Sequence, residues 1–234
     1  MPVGLEGRHG GANAIYYAVV TEADRQIGRL LSHLDALGLH AHTVVIFSAD
    51  NGPEDICIRD ASHSGVGSPG PFRGRKRSLY EGGIRVPSLL SWPGGGTPIG
   101  IIDNETPLCA VDLVPTFCTL AGIELLDDTQ LDGEDMSDAF HGSPRQRTTP
   151  LRREWRFRAH GHCINKSPTL AIRKGMWKLL MNPSRDRVEL IAPTTTLSTR
   201  QIRHPTPTIC HLLEVPVPRD AEGATAYQAL EDLA

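Results

Sequence analysis

Between Ala14 and Leu37 the apolar positions Val19, Ala23, Ile27, Leu30, Leu31, Leu34 and Leu37 return at intervals of three and four, and Gly38 follows where a left-handed cap ends a helix. The spacing predicts an amphipathic helix. After a short connector comes Thr43-Val-Val-Ile-Phe-Ser48, a β-branched apolar run without polar alternation, which predicts a parallel strand covered on both faces. Val86 to Trp92 repeats that character and stops at Pro93-Gly94-Gly95-Gly96. Asp112 to Ala121, with Gly122 behind it, predicts a short helix. Helix, buried strand and polar loop in succession mark an α/β chain.

Beyond a polar stretch at 142–150 the pattern shifts. Thr169 to Arg173 and Met176 to Met181 flank Lys174-Gly175, which predicts a tight hairpin, and Arg187 to Leu190 offers a third short strand. The expected organisation is therefore an α/β portion over residues 1–148 and a small antiparallel β subdomain over 149–190. Residues 191–234 form an atypical tail, rich in Thr, Pro and His and largely irregular, with a weak helical stretch near Ala224 to Leu233.

Composition narrows the function classes. A formal net charge of −3 over 234 residues gives no general attraction to nucleic acid, so the basic cluster Arg73 to Arg77 is read locally. No segment has the uninterrupted apolar length of a membrane span, and Met1-Pro2-Val3-Gly4 opens without a charged region leading into an apolar core; no export signal is visible. Cys57, Cys109, Cys118, Cys163 and Cys210 lack the close pairings of a zinc site and are odd in number, so they are read as small buried residues or free thiols.

The candidate chemistry begins where the first strand ends, at Asp50-Asn51-Gly52. Ligands of open α/β sheets bind outside the carboxyl ends of the strands. Asp50 and Asn51 offer the oxygen donors that Ca²⁺ or Mg²⁺ prefers, but two donors cannot complete a calcium shell. The competing reading is a polar turn, for which Asp, Asn and Gly are common.

The stretch from Gly52 to Gly83 is too long for an idle connection and is expected to line a site. It carries Lys76, whose compact ammonium suits an anion beside a cation. Arg73, Arg75 and Arg77 alternate around a glycine turn and are read as a solvated face. Glu81 is expected to pair with one of these arginines, and Gly82-Gly83 to allow a tight turn that supports Lys76. His63 is a candidate for substrate contact or proton transfer. His160 and His162, with Arg156 and Arg158 nearby, are either polar surface or part of a substrate pocket.

These motifs resemble the sulfatase family of the alkaline-phosphatase-like superfamily. The matching residues are Ser48-Ala-Asp50-Asn51-Gly52, then Gly74-Arg-Lys76-Arg-Ser-Leu-Tyr-Glu81-Gly82-Gly83, then Trp92-Pro93-Gly94, with Val111-Asp112-Leu-Val-Pro115-Thr116 and the later hairpin also covered. The resemblance implies part of an alkaline-phosphatase-like sulfatase core, a mostly parallel sheet with flanking helices, plus the antiparallel C-terminal subdomain. It implies hydrolysis of sulfate esters of a small molecule or glycan, with Asp50 and Asn51 as two calcium ligands and Lys76 as the lysine that contacts the sulfate.

Part of what that family uses is not in these residues. The family makes its nucleophile by oxidising the Cys or Ser of a Cys/Ser-x-Pro-x-Arg motif to formylglycine, and no such motif occurs here. Its paired aspartates complete the calcium site from before the nucleophile, whereas the Asp127-Asp128 of this chain follows the strand motif and reads as turn polarity. The expectation is an incomplete, inactive portion of a sulfatase, with the missing N-terminal half as a possible partner. The alternatives are a phosphodiesterase or phosphatase of the same superfamily and a non-catalytic, decayed or partner-completed domain.

Overall fold

The computed structural model describes residues 12–55, 64–125, 130–156, 162–191 and 199–201. Helix α1 (Ala12–Ala36) forms where the apolar period predicts it. It closes at Gly38, left-handed at φ 68°, with the Leu39 N–H donating to the Leu34 carbonyl at 2.9 Å. Tyr17, Val19, Val20 and Leu30 on this helix are exposed.

The chain divides into two compact units. One comprises residues 20–48 and 87–149. Its strands β1 (Val45–Ser48) and β2 (Ser88–Ser91) pair antiparallel, with Val45 opposite Ser91 and Ser48 opposite Ser88. This corrects the expectation of a parallel strand covered on both faces. Phe47 is 51% and Leu89 63% exposed. An unbroken apolar run states that both faces suit burial, but not which neighbour pairs with the strand or in which direction.

In the same unit helix α3 (Leu113–Ala121) ends at Gly122 as predicted, again left-handed at φ 65°. Pro115 lies in its first turn, where a missing N–H breaks no helical bond. The one-turn helix α4 (Ser137–Phe140) brings Phe140 edge-on to Phe117 with ring centres 6.3 Å apart, and Met136 is fully buried. Asp112 is the polar anchor of this unit. Its carboxylate accepts from the Cys109 N–H at 2.7 Å, the Glu134 N–H at 3.0 Å and Arg147 Nη1 at 2.5 Å. Thr116 Oγ1 accepts from the Met136 N–H at 2.9 Å. The polar residues of the Val111 to Thr116 motif thus satisfy buried backbone groups.

The other unit holds the described residues of 1–19, 49–86 and 150–234. Its five-stranded sheet runs β3 (Leu151–Glu154), β4 (Leu170–Lys174), β5 (Trp177–Met181), β6 (Val188–Ile191) and β7 (Thr199–Gln201), every neighbour antiparallel. The hairpin forms where predicted, with Lys174 opposite Trp177 across Gly175-Met176. Strands β3 and β7 extend the sheet on either side, β7 within the stretch whose composition predicted an irregular tail. The weak helical stretch near Ala224 to Leu233 lies outside the described residues.

Alternation gives the sheet two apolar faces. Ile172, Leu179, Val188 and Leu190 cluster on one. Ala171 and Leu180 pack with Leu79 and Tyr80 on the other. The segment carrying Lys76 therefore shares a core with the sheet. No helix among the described residues is long and apolar enough to cross a membrane.

Candidate active site

The motifs at 48–52 and 74–83 are joined backbone to backbone. The Gly52 N–H donates to the Gly83 carbonyl at 2.8 Å, and the Lys76 N–H donates to the Pro53 carbonyl at 2.8 Å. Lys76 is thereby held against the turn that presents Asp50 and Asn51. Glycine is required where the chains cross: a Cβ on Gly52 would lie 1.8 Å from the Gly82 carbonyl oxygen, and one on Gly82 would lie 2.2 Å from that of Gly74. The glycines flanking Asp50-Asn51 and following Glu81 are thus parts of one interlock.

Asp50 is exposed, and Asn51 and Lys76 are half-buried. None of the three side chains has a hydrogen bond or ion pair to another described residue. Their oxygens and ammonium remain available for a ligand. The donor types fit a hard cation. Among the described residues no group of three or more His, Cys, Asp or Glu side chains gathers, so Asp50 and Asn51 would contribute only part of a calcium shell.

The arginines around Lys76 are not a solvated face. Arg77, left-handed at φ 69°, makes a two-pronged pair with the buried carboxylate of Glu54, its Nη2 lying 3.1 Å from Oε2. Arg75 Nε donates to the Glu54 carbonyl at 2.9 Å, and its Nη2 donates to the carbonyls of Gly65 and Gly67. Arg73 stacks over the Tyr80 ring at 4.1 Å and reaches Glu189 at 3.3 Å. A planar guanidinium with five donors can tie several loop carbonyls together, which alternation in sequence does not reveal.

Glu81 is buried, but its partners differ from those expected. Lys178 Nζ donates to its Oε1 at 2.7 Å, while Oε2 faces the guanidinium groups of Arg173 at 3.6 Å and Arg85 at 4.0 Å. Burial pushes the Glu81 carboxyl upward, yet Lys178 and the two arginines outweigh it and hold the group below its usual range. Burial also lowers Lys178, against the opposing pull of Glu81. Beside them the Tyr80 hydroxyl donates to Glu189 at 2.8 Å and accepts from Arg187 Nη2 at 2.6 Å. Its pKa is driven up, first by burial and then by Glu189.

Asp55, just past the turn, accepts from the His162 N–H at 3.0 Å and from Asn165 Nδ2 at 2.6 Å, which ties the loop at 162–166 to it. The exposed His162 takes part through its backbone, and its Nδ1 accepts from the Ile164 N–H at 3.3 Å. Arg156, also exposed, pairs with Glu154 at 2.9 Å. His63, His160, Arg158 and Asp127-Asp128 lie outside the described residues. The described cysteines Cys109, Cys118 and Cys163 are free thiols.

Sequence comparison decides the family. Residues 12–123 match the Sulfatase family model. Residues 12–123 of this chain are sulfatase-family sequence. It is 37% identical to mouse steryl-sulfatase over 143 residues, covering 61% of this chain and 22% of the relative. It is 41% identical to human arylsulfatase A over 128 residues, covering 53% and 24%. The chain thus spans less than a quarter of these curated sulfatases. A solved protein of Bacteroides thetaiotaomicron glycosaminoglycan metabolism superposes with a TM-score of 0.60 at 20% identity, over 92% of this chain and 43% of that one. A solved phosphonate monoester hydrolase shares the fold as well, with a TM-score of 0.57 at 18% identity, and these likenesses bear out the fold class. Sulfatases are hydrolases of sulfate esters and generally depend on calcium.

Proposed function

We propose that this chain carries the calcium-and-lysine side of a sulfatase site, with the nucleophile and the remaining calcium ligands supplied by polypeptide outside these 234 residues. The observation that carries this reading is the interlock of the two motifs, Gly52 on Gly83 and Lys76 on Pro53. Asp50 and Asn51 would hold the calcium ion. When bound, calcium supplies positive charge that offsets the negative charge of a sulfate ester. Lys76 would place its ammonium on a sulfuryl oxygen, where stabilising developing charge contributes most to ester cleavage. The substrate class is a sulfated small molecule or glycan.

Because no Cys/Ser-x-Pro-x-Arg motif is present, the chain by itself lacks the formylglycine nucleophile that sulfatases use. The exposed Phe47 and Leu89 on the strand pair support a partner that completes the domain. Such a partner would carry the upstream half of a sulfatase.

The test is hydrolysis of an aryl sulfate and an aryl phosphate diester, by the chain alone and by the chain fused to an upstream sulfatase half with its formylglycine motif and paired aspartates. No turnover by the chain alone and sulfate turnover by the fusion are expected. Turnover by the chain alone would contradict the proposal. Preference for the phosphate diester would assign the site to the phosphodiesterase alternative, and an inactive but folded fusion would favour a non-catalytic domain.

A further inference from the structure

Lys178 sits on β5 one residue from Leu179 and two from Leu180, on the face that packs against the Leu79 to Glu81 segment. Its side chain is 2% exposed, and its Nζ lies 2.7 Å from Glu81 Oε1. A buried ammonium is a poor way to stabilise a sheet, because an apolar side chain of similar volume usually serves as well or better. Something other than stability accounts better for a lysine in this position.

We infer that Lys178 is a positioning residue for the candidate site, a reading that rests on Asp50, Asn51 and Lys76 being that site. Glu81 opens the one-turn helix α2 (Glu81–Ile84), and the two glycines after it form the interlock. The Gly82 N–H donates to the Arg73 carbonyl at 2.7 Å, and the Gly83 carbonyl accepts from Gly52 at 2.8 Å. Apolar contacts made by Leu79 and Tyr80 tolerate a small slide of this segment along the sheet; a directional ion pair does not. Tyr80 is tied to Glu189 and the Leu79 N–H to Ser167 Oγ at 2.8 Å, which holds the segment on the sheet. Lys178 acts one step further on, at the residue adjoining the glycines, and so sets where the Asp50-Asn51 turn meets the Lys76 loop. The C-terminal sheet thereby becomes part of the site's framework although it adds no side chain to the proposed ligands.

Amide hydrogen exchange of the full chain, followed residue by residue by NMR, tests this in Lys178→Met and in the milder Glu81→Gln. The expected result is exchange at the Gly52 and Lys76 amides accelerated at least tenfold more than in the β5–β6 ladder. Unchanged exchange at both amides would overturn the inference. So would an equal loss across the ladder, which marks a merely structural pair. If the site itself is misassigned, Lys76→Ala in the active fusion leaves turnover unchanged while the exchange result stands.

Discussion

Gly52 shows how one residue's size fixes the arrangement. Its missing side chain lets two backbones cross, and alanine there would force a Cβ to within 1.8 Å of the Gly82 oxygen. Gly52→Ala is expected to cost about 2 kcal/mol or more, in line with overpacking in rigid surroundings, measured by denaturant unfolding. The residues of the proposed site were legible in sequence because order and spacing around Asp50, Asn51 and Lys76 are specific. The roles of Arg73, Arg75 and Arg77 were not, since their partners Glu54, Gly65, Gly67 and Glu189 come from several stretches of chain. Lys178 did leave a signal: a charged residue at the inward position of an apolar strand.

At the scale of elements, periodic pattern predicted α1, α3 and the β4–β5 hairpin well, because each is settled by local spacing and a closing glycine. Strand direction in the β1–β2 pair depends on which partner is available, and that information is not local. Buried ion pairs join the elements, and each makes a prediction. Arg147, 4% exposed, pairs with the buried Asp112. Arg147→Ala leaves that carboxylate without its cation and should destabilise its unit by about 3 kcal/mol, seen as a shift in the unfolding midpoint.

Glu81 titrates below its usual range in the folded chain. The stability it adds is therefore complete above the ordinary carboxylate range and is lost as pH falls through the lower folded value. Unfolding free energy measured from neutral to acid pH should show this decline, and Glu81→Gln should flatten it.

For the whole molecule, the share of the relatives covered and the exposed apolar positions point the same way. Phe47 and Leu89 stand more than half exposed on the strand pair, and fully burying such a side chain is worth about 1.5 to 3 kcal/mol. Fusion to the upstream half should accordingly raise the unfolding midpoint relative to the chain alone, and chelating calcium from the fusion should abolish its turnover. The most direct test is the turnover of an aryl sulfate by that fusion before and after Lys76→Ala. Loss of one charge-stabilising group at a cleavage site typically costs about 100- to 1,000-fold in kcat, and a fall of that order is expected. An unchanged kcat would contradict the assignment of Lys76, and with it the claim that this chain carries the calcium-and-lysine side of a sulfatase site.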